Sequence, residues 1–142
     1  MLRGEFQSAG ETSPDDLEAA YRQLLAATVE ELGVATVTDR SGLAAETVEA
    51  VAAAEDRSLT LAEAAAILAA DPARPDAETV AAEARDILLL GMTTAVIDVE
   101  ELASELDDAM EPKEIQQKIE GRYPMTLAEY ARLHHHIAAR AR

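Results

Sequence analysis

The tetrapeptide Thr-Leu-Ala-Glu occurs twice, at 60–63 and at 126–129, and each copy opens an apolar run. A threonine that can accept from the amide three residues on, with a glutamate there to reach back to the threonine's own amide, is a helix start. A chain that marks helix starts this plainly, and in which 31 residues are alanine, is built for helix. The other breakers and caps complete the division. Ser13, Pro14, Asp15 and Asp16 start a helix that runs to about Leu32 on the helically spaced Leu17, Tyr21, Leu24, Leu25, Thr28 and Val29, and Gly33 ends it. A short segment from Val34 to Arg40 leads to the turn dipeptide Ser41-Gly42, and Ala44 to Ala54 is again helical. The first capping box opens a helix to about Ala70.

After the linker Asp71-Pro72-Ala73-Arg74-Pro75-Asp76 the same grammar returns. Asp76 caps a helix to about Val96, Asp98 caps one to about Leu106, Pro112 begins one to Glu120, and Gly121-Arg122-Tyr123-Pro124 is a turn before the last capped helix. The nearly continuous apolar run through Ile87, Leu88, Leu89, Leu90 and Met92 predicts a central helix buried on several sides.

Composition removes the alternatives. With one Phe, three Tyr and no Trp, there are too few aromatic residues for a strand-rich or doubly wound fold. No cysteine means no disulfide, thiolate nucleophile or thiolate metal site. No apolar run reaches the roughly 18 residues of a membrane span, and Met1 to Gly10 do not resemble a secretion signal, so a cytoplasmic protein is expected. The net charge of −16 does not imply disorder, because 49% apolar residues in helical rhythm can offset chain entropy.

Laying residues 59–68 over 125–134 matches Thr, Leu, Ala, Glu and one later Ala, and Leu24, Leu25, Val29 and Val34 then fall over Ile87, Leu88, Met92 and Ile97. The expected architecture is therefore all-α, two tandem four-helix units packed into one compact helical domain. Residues 1–12 are expected to be a disordered tail, 13–71 the first unit, 72–75 a linker and 76–142 the second unit.

Within each unit the order is helix, short helix, tight turn, helix, capped helix. The first unit carries this in Val37-Thr38-Asp39-Arg40-Ser41-Gly42-Leu43-Ala44-Ala45-Glu46-Thr47-Val48-Glu49-Ala50-Val51, and the second in the stretch from Glu114 to Leu127. Over about 35 residues in each half the pattern resembles the helix-turn-helix of the Cro and lambda-repressor superfamily. The resemblance implies a DNA-binding regulator whose second motif helix enters the major groove. In the first unit the residues that would meet DNA, Glu46, Glu49, Ala50 and Ala53, are acidic or mute. The second unit is better furnished. Lys113, Gln116, Gln117, Lys118, Arg122 and Tyr123 could face one way, glutamine pairing with adenine and the cations meeting phosphates of double-stranded DNA. Residues 111–142 carry six basic and four acidic side chains, +2, against six and twenty-four, −18, in residues 1–110. Glu111, Glu114 and Glu120 depart from the family pattern, and Glu114 with Lys118 is also an ordinary helix ion pair.

No catalytic constellation, cofactor motif or small-molecule substrate is indicated. The carboxylate pairs Asp15-Asp16, Glu30-Glu31, Glu100-Glu101 and Asp107-Asp108 are adjacent rather than on one helix face, and solvation accounts for them. His134, His135 and His136 cannot all reach one ion from a regular helix, so no metal site is expected; they read as surface and partly buried histidines near a helix C-terminus that favours a cation. A non-enzymatic function is expected. The alternative to a DNA-binding regulator is a homodimer or protein-interaction module in which the helix-turn-helix units keep their packing and lose their readout. The acid excess with only two lysines resembles proteins of halophilic archaea, where molar salt shortens the Debye length to about 3 Å and quiets self-repulsion.

Overall fold

A computed structural model describes residues 8–141. Among them a 3-10 turn, Ala9–Glu11, precedes eight α-helices: α1 Pro14–Leu32, α2 Val34–Ser41, α3 Ala45–Ala52, α4 Leu61–Ala69, α5 Ala77–Ala95, α6 Val99–Glu105, α7 Pro112–Ile119 and α8 Leu127–Arg140. The domain is all-α. Each predicted cap is formed. Ser13 accepts from the Asp16 amide, Asp76 from Thr79 and Asp98 from Glu101, and both capping boxes close with threonine and glutamate exchanging bonds.

The two capping boxes lie side by side. Thr60 and Thr126 form an isolated antiparallel bridge, in which the Leu61 amide donates to the Met125 carbonyl at 2.8 Å and the Leu127 amide to the Leu59 carbonyl at 2.7 Å. This contact satisfies two amides at helix N-termini that would otherwise need water. Helix lengths recur along the chain, 19, 8, 8 and 9 residues in α1–α4 and 19, 7, 8 and 14 in α5–α8. The turns do not recur. Gly42, left-handed at φ 74°, lets α2 and α3 join tightly, whereas α6 and α7 are separated by residues 106–111, with Asp107 and Asp108 both at positive φ. The tight turn expected in both halves is present only in the first.

The central helix is α8, not α5. Leu127, Tyr130, Ala131, Leu133, His134 and Ile137 of α8 are all buried, and it packs on α1, α5 and the 3-10 turn. Helix α5 buries only Val80, Ala81, Ala84 and Leu88. The cause is Gly91: a Cβ there would lie 2.5 Å from Ile137 Cγ2, so the residue facing α8 has to be small. That orientation turns Leu89 and Leu90 outward, against the expectation of burial on several sides. In the first unit Ala50 is likewise buried rather than available to a ligand.

Residues 8–12 are not the expected disordered tail. Ala9 is buried, its carbonyl pairs with His135 Nδ1 at 3.1 Å, and Gly10 presses so close to α8 that a Cβ would meet the Ala138 and Ala139 backbone within 3 Å. Residues 1–7 of that tail lie outside the described part of the chain.

A polar cluster lies within the core. The Tyr21 hydroxyl of α1 and His134 Nδ1 of α8 share a 2.5 Å hydrogen bond, and the Tyr130 hydroxyl donates to the Ala84 carbonyl at 2.8 Å. Burial pushes both phenols well above their ordinary range, Tyr130 adding to the effect on Tyr21.

Candidate functional site

The residues expected to read DNA do not form one strip. Lys113 and Gln116 are exposed on α7, and Gln117 beside them is half-buried. Lys118 lies about 140° around the helix from Lys113. Its side chain is only 12% exposed, and its ammonium contacts Glu114 at 2.8 Å and Glu129 at 2.5 Å. Burial opposes its charge, yet the two carboxylates hold the Lys118 ammonium above its ordinary range and Lys118 holds Glu114 below its own. Two further side chains are engaged as well: the Gln116 amide donates to Glu120 at 3.3 Å, and Arg122 pairs with Glu120 at 3.3 Å. The lysine read as a phosphate contact is a structural tie between α7 and the capping box of α8. Its partnership with Glu114 was legible at four-residue spacing; Glu129, eleven residues on, was not.

Arg122 and Tyr123, both exposed, stand with Lys118 around a depression of about 280 Å³. Arg85 of α5 completes its wall. The Arg85 guanidinium lies over Gly121, where φ is 80° and a Cβ would be 3.0 Å from Cζ. No local pattern marks Arg85 in the sequence, since only the packing of α5 beneath the α7–α8 turn brings it there.

A second surface is apolar. The longest uncharged run in the chain, Ile87 to Ile97, ends α5, and its outer face carries Leu89, 44% exposed, Leu90, 61%, and Val96, 83%. With Tyr123 these are the exposed large apolar side chains among the described residues. Val96 caps α5 in the left-handed conformation at φ 54°, a costly backbone for a β-branched residue. Beside this face a groove of about 420 Å³ runs between α5 and α7, lined by the apolar Leu89, Met92, Ile97, Val99 and Ile119 and by the polar Thr93, Asp98, Gln116 and Glu120. Its surface is suited to apolar side chains, with polar groups that could orient them.

The three histidines point to three partners. His134 bonds Tyr21 inside the core, His135 meets the Ala9 carbonyl, and His136 Nδ1 lies 3.5 Å from Glu105. Burial, with His135 adding, lowers the pKa of His134 to about 4, so this histidine is neutral at pH 7 rather than the cation expected of a helix end. Burial also lowers His136. Among the described residues no group of three His, Asp or Glu side chains is placed to hold a metal ion, and no helix is long and apolar enough to cross a membrane.

A family model matches residues 17–140, spanning every α-helix from the first turn of α1 to the end of α8. The chain belongs to DUF5791, a family of unknown function. No curated protein and no solved structure matches this DUF5791 chain. Both surfaces described above fall within the part that the DUF5791 model covers.

Proposed function

We propose that this DUF5791 protein is a non-enzymatic protein-interaction module, two divergent helix-turn-helix-like units that dock through the outer face of α5 and its adjoining groove. One observation carries the reading: in a chain of net charge −16 the longest uncharged run is also where Leu89, Leu90 and Val96 stand out in water. Exposing several large apolar side chains together is unfavourable for a free monomer, and patches of this kind are where partners bind. A neutral surface also avoids the like-charge repulsion that the remainder of the molecule presents to other acidic proteins. The recurring order of helix lengths and the bridge between the capping boxes support the two-unit reading. The acid excess and scarcity of lysine support a working environment of high salt, as in a halophilic archaeon.

A second reading, a DNA-binding regulator acting through Lys113, Gln116, Gln117, Lys118, Arg122 and Tyr123, is favoured by the convergence of Arg85, Arg122 and Tyr123 on one depression. It ranks lower because Lys118 and Arg122 each have a carboxylate partner. Charge neutralised within the protein releases few counterions from DNA.

The deciding experiment retains partners from extract on immobilised protein in about 2 M KCl, salt at which electrostatic attraction is suppressed, beside fluorescence anisotropy with a randomised duplex pool. A partner held by the wild type and lost in Leu90→Glu, with unchanged helical circular dichroism, supports the module. Enrichment of one DNA sequence that Lys113→Glu and Arg122→Glu abolish overturns it in favour of the regulator.

A further inference from the structure

Arg85 is the anomaly in this molecule's charge. In a chain with 28 acidic and 12 basic side chains most arginines find a partner: Arg22, Arg57, Arg122 and Arg140 meet carboxylates, and Arg40 and Arg132 meet backbone carbonyls. Arg85, half-buried on α5, makes neither an ion pair nor a hydrogen bond among the described residues. A guanidinium drawn partly out of water without a partner for its five N–H donors is unfavourable. It cannot escape by losing its charge, because arginine stays protonated.

The seat of this side chain is specific. At Gly121 a Cβ would lie 3.0 Å from Arg85 Cζ and Nε and 3.3 Å from Nη2, so a side chain there would push the guanidinium from the wall of the depression of about 280 Å³. Other donors line the same space. Lys118 uses two of its three N–H donors on Glu114 and Glu129 and keeps one. Ala62, the second residue of α4, has an amide without an intrahelical acceptor. Arg122 is 71% exposed and holds Glu120 at 3.3 Å. The carboxylates of the adjoining elements are engaged elsewhere: Glu114 and Glu129 with Lys118, Glu120 with Arg122 and Gln116, and Glu63 with the Thr60 amide. They offset Lys118 and Arg122, and none of them contacts Arg85. The remaining wall, Leu61, Tyr123, Pro124 and Met125, is largely apolar.

We propose that this depression binds a small organic phosphate monoester, its phosphate on the Arg85 guanidinium and its apolar or planar body against Tyr123 and Pro124. Arginine's planar fork takes two oxygens of an oxyanion at once. A carboxylate would be used up by that fork, whereas the three terminal oxygens of a monoester also leave an acceptor for the Lys118 and Ala62 donors. A partly buried pair is screened by salt much less than a surface one, so binding persists in molar KCl. The inference does not rest on the interaction-module reading.

Amide NMR titration of the full chain in about 2 M KCl tests it, with phenyl phosphate, inorganic phosphate, benzoate and a short DNA duplex as separate titrants. With phenyl phosphate the shifts at the Ala62, Gly121 and Tyr123 amides should saturate together, with a Kd at least about ten-fold below that of benzoate. Arg85→Lys keeps the charge and removes the fork, and should weaken phenyl phosphate at least about ten-fold with helical circular dichroism unchanged. Tyr123→Ala should bring phenyl phosphate down to the affinity of inorganic phosphate. Leu90→Glu should leave all of these affinities as they are, which separates this site from the α5 face. Absence of saturation by about 10 mM phenyl phosphate, an unchanged Kd in Arg85→Lys, or equal affinity for benzoate overturns the inference. So does tighter binding of the duplex at the same amides, which would assign the depression to the phosphates of DNA.

Discussion

Lowering the pH should destabilise the fold through one histidine. His134 is buried against Tyr21, and its pKa falls from 6.5 to about 4 in the folded state. A base whose pKa is depressed by folding binds more protons when unfolded, so its stabilising contribution is whole above pH 6.5 and drains away as pH falls toward 4. Between pH 7.5 and 4.5 those two values give a loss of about 2 to 3 kcal/mol, a large fraction of the stability of an ordinary domain. Urea denaturation followed by helical circular dichroism, in molar KCl, measures it when the wild type is compared with the double variant Tyr21→Phe, His134→Leu. The double variant leaves no unpaired hydroxyl behind and is less stable at neutral pH for packing reasons of its own. The carboxylates titrate in both proteins and cancel in the difference. The wild type should lose about 2 to 3 kcal/mol more than the variant over this interval. An equal loss in both proteins, or an NMR titration that places the His134 ring near pH 6.5, would refute the argument.

Four further substitutions probe the packing directly. Val96→Gly should raise thermal stability by about 1 kcal/mol by relieving a left-handed β-branched residue, a gain read as an upward shift in Tm, while reducing apolar contact at the α5 face. Thr60→Ala and Thr126→Ala should each cost about 1 kcal/mol in urea unfolding, and the double variant less than the sum, because the two caps share one backbone bridge. Gly10→Ala, whose Cβ would strike the α8 backbone at 2.8 Å, should lift the 3-10 turn and speed hydrogen exchange at the Glu11 and Thr12 amides without unfolding α8.

Helix positions were legible because their causes are local. A cap, a proline or a glycine acts within about four residues, so Ser13, Thr60, Asp76, Asp98 and Thr126 each marked an observed helix start, and Gly33 and Gly42 marked two ends. The candidate surfaces were less legible. Lys113, Gln116 and Tyr123 are as exposed as their residue types suggest, but Lys118 is sequestered by Glu129 and the wall beside Arg122 is supplied by Arg85, 37 positions upstream. Neither pairing has a sequence period.

The amino-acid sequence by itself determined that this chain is helical, where most of its helices start, and that its charge is −16 without a cysteine to cross-link it. Tertiary structure alone decided which face of each helix meets water. Gly91 against Ile137 orients α5, turning its leucines outward and making α8 the centre. A run such as Leu88-Leu89-Leu90 is apolar on every side and cannot say which side is inside; that choice belongs to the neighbours it packs against, and here those are α4 and α8.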